Sequence, residues 1–228
     1  YYTTGFVFTG LSVAVAFHAG LFNIGSEGQA TIGGLGVALV CLTFDGAPWW
    51  LVAPFALAAA ALFGAAWAFV PAWLQARRGS HIVITTIMFN YLAATLMVWL
   101  LVEVMGEKGS MSPETKTFEP ATRLPFLRDF LMPFGIDLGQ SPVNPMVFVA
   151  ALAAVFVWLL IWRTRFGFEV RTVGQNPTAA VYAGIDPGGI VVAAMLISGG
   201  LAGAMAVNEV MGVQHRLLLE FVAGAGFV

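Results

Sequence analysis

Charge is scarce in this sequence. Only 10% of its 228 residues are charged and 59% are hydrophobic, where a soluble domain carries about 25% charged residues. The chain is therefore read as membrane-embedded. A formal net charge of −2 leaves no basic face, so nucleic acid is not expected among its partners. Cysteine is nearly absent. Cys41 alone stands in an apolar run, which excludes an intramolecular disulfide and suggests a small buried residue. Histidine is almost as sparse, with His18, His81 and His215 far apart. No zinc-protease helix motif, cysteine–histidine cluster, nucleophile elbow or phosphate-cradling glycine loop occurs. Catalysis, a metal centre and a cofactor are not expected. Movement of a solute is the better class.

What the sequence has in plenty is long apolar runs. Runs of about 17–25 residues suffice to cross a hydrocarbon core of about 30 Å. Six candidates stand at about 5–24, 28–44, 50–70, 82–105, 146–162 and 189–208, so the expected fold is an all-α polytopic helical bundle. The second run is short and glycine-rich, and reads as sharing a broken or re-entrant element with the first. Arg77 and Arg78 lie in the connection 71–81, and Arg163, Arg165 and Arg171 in 163–188. The turn at 45–49 carries Asp45 and no Lys or Arg. The positive-inside rule puts the arginine-bearing loops in the cytoplasm and 45–49 outside, with 106–145 as a long outer loop. Trp49, Trp50, Trp73, Trp99, Trp158 and Trp162 cluster towards span ends, as interfacial aromatics do. Gly199 and Gly203 give a small-residue spacing that lets membrane helices approach closely. The outer loop is too rich in proline for one long helix. Within it, Leu124 to Phe134 reads either as a short amphipathic piece or as solvated loop.

Polar residues amid this apolar background form a few groups. Asn23, Glu27 and Gln29 stand among glycines at 20–36. Gly25 and Gly28 argue for a break that exposes backbone together with the carboxylate. A site for a polar, neutral solute and a structural turn with Glu27 at a helix N-terminus both fit. Thr85, Thr86 and Asn90 lie in the fourth run, Asn90 about 12 Å from its start, flanked by Phe89 and Tyr91. An aromatic beside an amide suits a nucleobase or a sugar face, and packing is the alternative. Asn208, Glu209, Gln214 and His215 follow the last full run and read as solvated loop near the outer mouth. Asn176-Pro177 opens a short helix-like stretch with Ala179, Ala180, Tyr182 and Ala183, stopped by Gly184 and Pro187. Its apolar face needs the bilayer surface or a soluble partner.

Three of these stretches resemble one family. Gly-Leu-Phe-Asn-Ile-Gly-Ser-Glu-Gly-Gln at 20–29, Ile-Thr-Thr-Ile-Met-Phe-Asn-Tyr at 84–91 after Ala-Arg-Arg-Gly at 76–79, and Val-Gly-Gln-Asn-Pro-Thr-Ala-Ala-Val-Tyr-Ala-Gly-Ile at 173–185 are similar to motifs of permease subunits of ABC importers for nucleosides and simple sugars. The resemblance implies a subunit of the bacterial plasma membrane working with a second permease subunit, two cytoplasmic ATPase subunits and an extracytoplasmic substrate-binding protein. ATP hydrolysis would belong to the ATPase partners. It implies a substrate path near Asn23, Glu27, Gln29, Thr86 and Asn90. It also implies an ATPase-coupling segment that includes Gly174, Asn176, Pro177, Ala179, Ala180, Tyr182 and Gly184. The family's first and last helices have no counterpart, and Phe221–Val228 reads as the start of another apolar segment. The chain is expected to be one transmembrane domain, 1–228, that does not transport alone. Branched-chain amino acids within the same architecture, or an ion-coupled transporter, are the alternatives.

Overall fold

The computed structural model describes residues 2–106, 112–132, 141–222 and 224–226. Regular structure among them is helical, apart from one isolated bridge between Glu114 and Leu218. The helices are α1 (Tyr2–His18), α2 (Ser26–Thr43), α3 (Trp49–Arg78), α4 (Ile82–Trp99), α5 (Leu127–Leu131), α6 (Met146–Arg163), α7 (Arg165–Gln175), α8 (Pro177–Tyr182) and α9 (Pro187–Glu209). A π-helical turn prolongs α4 over Leu100–Val104, and another prolongs α9 over Val210–Gln214. Four helical stretches are long and apolar enough to cross a membrane: Trp49–Arg78, Ile82–Val104, Met146–Arg163 and Pro187–Gln214.

Helix α9 is the central post, packed on α1, α2 and α3, while α4 leans on α2 and α6 on α1. Small residues allow this. Ala56, Ala60, Gly64, Ala68 and Ala72 repeat every fourth residue along α3 and are buried, so they form one stripe. Against it α9 sets Ser198, Gly199, Ala202 and Gly203. A Cβ built on Gly33 of α2 would lie 2.6 Å from Gly203 Cα, and one on Gly203 would strike the Ala60 carbonyl. Backbones therefore meet where α2, α3 and α9 cross, which larger side chains would prevent. The outward faces are apolar, with Leu62 on α3, Tyr91 and Leu92 on α4, and Leu152 and Phe156 on α6 all well exposed. Such a surface suits hydrocarbon rather than water.

The sequence-based boundaries need correction in several places. The first run ends at His18 rather than 24, because Gly20 takes a left-handed φ of 74° and turns the chain back. Helix α3 runs on through Pro71 to Arg78, over most of the expected connection 71–81. Proline costs a helix one hydrogen bond, yet Pro71 is buried and packing compensates. Arg77 and Arg78 then sit in the last turn, favourable to the helix dipole, and Gly79 at φ 64° caps it. Asn208 and Glu209 are not solvated loop: they finish α9 and are buried. A helix at Leu127–Leu131 occupies part of Leu124–Phe134, where Phe134 lies outside the described residues.

The two ends of the bundle differ chemically. One gathers the α2–α3 turn, residues 112–126 and the chain after α9. There Lys116 pairs with Asp45 at 3.1 Å, Glu119 N–H donates to Asp45 Oδ1 at 2.8 Å, and Trp49 N–H donates to the Ala121 carbonyl at 2.8 Å. Arg216 pairs with Glu114 at 3.0 Å, and Phe118 N–H donates to the His215 carbonyl at 2.8 Å. The opposite end gathers the α1 terminus, the end of α3, and α7 with α8. Arg171 lies over the Trp162 ring at 4.6 Å and Arg163 over Trp158 at 5.4 Å, an aromatic–cationic rim of interfacial type.

Candidate functional site

The stretch between α1 and α2 folds back into the bundle instead of leaving it. After Gly20 the Leu21 N–H donates to the Ala16 carbonyl at 3.0 Å, and the chain climbs beside α1. Asn23 thereby reaches Ser198, whose hydroxyl it meets at 2.8 Å, a residue about 16 Å along α9. Asn23 Nδ2 also donates to Gln29 Oε1 at 3.0 Å, Gln29 Nε2 returns a bond to Asn23 Oδ1 at 3.2 Å, and Gly25 N–H donates to that oxygen at 2.9 Å. Ser12 joins the group, 2.9 Å from Ser198 Oγ and 3.2 Å from Ser26 Oγ. All five side chains are buried. Each amide satisfies the other, so the cost of burying them is met within the protein. Thr86 is also buried, its hydroxyl donating to the Ile82 carbonyl at 2.9 Å.

Glu27 and Asn90 stand apart from this knot and face a cavity. Asn90 Nδ2 donates to the Ile24 carbonyl, and Asn90 Oδ1 accepts from Gly28 N–H, both at 2.9 Å. One side chain thus replaces the backbone bonds that the break removes on both of its sides. Glu27, in the first turn of α2, accepts from Gly224 N–H at 3.1 Å and Gly226 N–H at 2.8 Å. The cavity, about 370 Å³, lies between α2, α4 and the residues Leu219, Glu220 and Gly224. Glu27, Thr31, Asn90 and Glu220 supply its polar edges, and Ile87, Tyr91 and Met97 its apolar ones. An aromatic face beside amide and carboxylate groups suits a neutral, ring-shaped, polar solute.

Of the residues nominated from sequence, Asn23 and Gln29 come together in the buried knot, Glu27 and Asn90 at the cavity. Thr86 packs on the Gly25 turn between the two, its Cβ 3.0 Å from where a Gly25 Cβ would stand. Sequence reasoning missed Ser12 and the polar role of Ser198, which reads there only as a small residue beside Gly199. It also missed the contacts of residues 217–222 with α2, where Phe221 fills the space a side chain at Gly34 would need.

The basic end carries the second nominated group. Helix α7 is capped by Thr164, whose hydroxyl accepts from Gly167 N–H at 3.0 Å. Asn176 caps α8 through Ala179 N–H at 3.0 Å, with Pro177 in the first turn and Gly184 turning out at φ 76°. Ala180 is buried, whereas Ala179 is exposed and Tyr182 is 89% exposed. Gly174 packs on the α1 turn: a Cβ on Gly20 would stand 3.2 Å from Gly174 Cα, and one on Gly174 would overlap the His18 carbonyl. The α7–α8 joint thus rests directly on the turn that leads to Asn23.

Comparison with known proteins follows the same lines. The profile of a family described as branched-chain amino acid transport system / permease component matches residues 1–227. The guanosine ABC transporter permease protein NupP of Bacillus subtilis is 37% identical over 98% of this chain and 62% of its own length. The glucose ABC transporter permease protein TsgB13 of Haloferax volcanii is 33% identical over 97% of this chain and 58% of its own. The nucleoside ABC transporter permease protein NupB of Lactococcus lactis is 33% identical over 86% and 54% respectively. The chain therefore spans less than two thirds of the length of these relatives. No solved structure matches it. An all-helical, apolar chain matched along nearly its whole length belongs to the branched-chain amino acid transport system / permease component family.

Proposed function

We propose that this chain forms the core of the transmembrane subunit of an ATP-driven importer for nucleosides or simple sugars, in the plasma membrane of a bacterium. The observation that carries the reading is the cavity beside the broken α1–α2 element, where Asn90, Glu27 and Tyr91 meet. Interrupted helices at membrane depth expose backbone groups that continuous ones hide, and transporters use such breaks beside their solute path. The guanosine, nucleoside and glucose permeases among its relatives favour a hydroxyl-rich solute.

The accompanying topology has all six long helices as spans of a single domain, 1–228. The basic end with 163–188 faces the cytoplasm, and 106–145 lies outside. Residues 107–111 and 133–140 of that loop lie outside the described residues. ATPase subunits would grip the exposed face of α8 around Tyr182 and displace the α7–α8 joint. The Gly174–Gly20 contact would carry that displacement to the break. A second permease subunit would cover part of the exposed apolar surface, and an extracytoplasmic binding protein would deliver solute to the end opposite α7 and α8.

The test uses the intact transporter, co-purified with its partners and reconstituted. Labelled guanosine, ribose or glucose should enter vesicles only with hydrolysable ATP. Uptake that proceeds equally without it would refute the reading. A preference for leucine over all three would move the solute to the branched-chain amino acids.

A further inference from the structure

We infer that Glu27 is a positioning residue, a clamp that holds the wall of the cavity. This deepens the proposed solute path and depends on it only for its transport arm. Both carboxylate oxygens are already engaged, by Gly224 N–H at 3.1 Å and Gly226 N–H at 2.8 Å. Amides two residues apart, with the first at a φ of 80°, present their N–H groups to one side, the arrangement by which backbone cradles an anion. Here the anion is a side chain of the same protein. Bonds from N–H to an ionised carboxylate are about twice as strong as neutral ones, so the two amides fix where the carboxylate stands and the carboxylate fixes the segment that carries them.

Close packing supports the same role. A Cβ at Gly226 would collide with the backbone of Glu27, and one at Gly34 with the ring of Phe221. Phe221 and Gly226 therefore lie directly on α2, two turns apart. The chain just before Phe221 is held from outside, where Thr115 N–H donates to the Leu217 carbonyl at 3.1 Å and Leu217 N–H to Thr115 Oγ1 at 3.0 Å. Glu27 is the inner of two clamps. Leu219, Glu220 and Gly224, the residues that wall the cavity, lie between them or at the inner one.

The experiment reads the wall itself. In the assembled full-length transporter Leu219→Cys provides a half-buried thiol in the cavity wall, while the native Cys41 is buried. Glu27→Ala in that background should raise the rate of maleimide labelling about tenfold, since both charge-assisted bonds are lost. Glu27→Gln, which retains one acceptor oxygen, should give a smaller rise. Gly226→Ala, which leaves the carboxylate in place but forces the segment off α2, should reproduce the increase, and it carries the test if Glu27→Ala does not assemble. Unchanged labelling in both Glu27→Ala and Gly226→Ala would overturn the inference. So would unchanged labelling in Glu27→Ala with weakened solute binding, which makes Glu27 a ligand. Loss of ATP dependence in the parent transporter would instead strike the proposed function and leave the clamp standing.

Discussion

A single asparagine shows how much one side chain does in this fold. Asn90 donates to the Ile24 carbonyl and accepts from Gly28 N–H, so it stands in for helical bonding across the whole break. Asn90→Ala leaves a donor and an acceptor unpaired where water is scarce, and should cost about 1–3 kcal/mol. The expected result is a lower melting temperature of the purified subunit in detergent. Asn90→Asp, which accepts but does not donate when ionised, should recover only part of the loss. At this scale the sequence was informative but incomplete. Polar residues in apolar runs marked Asn23, Glu27, Gln29 and Asn90, yet nothing local distinguishes an amide satisfied inside the protein from one offered to a solute. The Asn23–Gln29 pairing needed the fold-back at Gly20. Ser12 and Ser198 are hydrogen-bonded across 186 positions, but in sequence Ser198 reads only as a small residue beside Gly199, and Ser12 carries no signal at all.

Among the larger elements, the loop over residues 112–126 is held by groups that titrate. Partial burial pushes the Asp45 carboxyl up, but Glu119 N–H, the Lys116 ammonium and Gly46 N–H outweigh it and hold it below the usual carboxylate range. The charged form belongs to the folded loop, so its stabilisation is present above the ordinary carboxylate value and is lost as pH falls through the depressed one. Burial likewise lowers the His215 imidazole, assisted by Arg123 and opposed by a bond to the Met211 carbonyl. Its contribution is complete above about 6.5 and fades on acidification. Both shifts act in one direction. Protease cleavage within residues 112–126 should accelerate in two stages on acidification, the first near the imidazole range and the second below the carboxylate range. Asp45→Asn should remove the second stage.

At the other end α8 offers Val181 and Tyr182, 60% and 89% exposed, to whatever covers it. Val181→Asp with Tyr182→Asp should abolish co-purification of the ATPase subunits and leave the melting temperature unchanged. Ala179 alone of its alanine pair is a fair target, because Ala180 is buried and its replacement would unfold the joint. Asn-Pro and Gly made α8 legible from sequence, since capping and helix termination are local chemistry. Helix α7 was not legible: its arginines and glycines read as a basic connection.

The whole molecule is an asymmetric bundle with a basic, tryptophan-rimmed end and an end tied by acidic and mixed-charge loops. Single cysteines at Lys116 and at Tyr182, placed in the full-length subunit in sealed vesicles, should react with impermeant reagents from opposite faces. Labelling of both from one face would refute the orientation. Hydrophobic length and arginine placement read from sequence located every long helix, because each depends on segments independent of the rest. The position of residues 215–222 against α2 did not follow from such rules. The contacts of Phe221 with Gly34 and of Gly226 with Glu27 join residues far apart in the chain, and no local pattern announces them.

Gly20 and Gly174 touch main chain to main chain, with no side chain between them. Most contacts between protein elements contain rotamers that yield before the backbone does, so small displacements are absorbed where they arise. A bare joint has no such slack. Motion of α7 and α8, whatever its source, arrives at the turn above His18 as a push on the peptide itself. Any residue larger than glycine at either position would hold the two parts at a distance and loosen the mechanical link to the membrane interior.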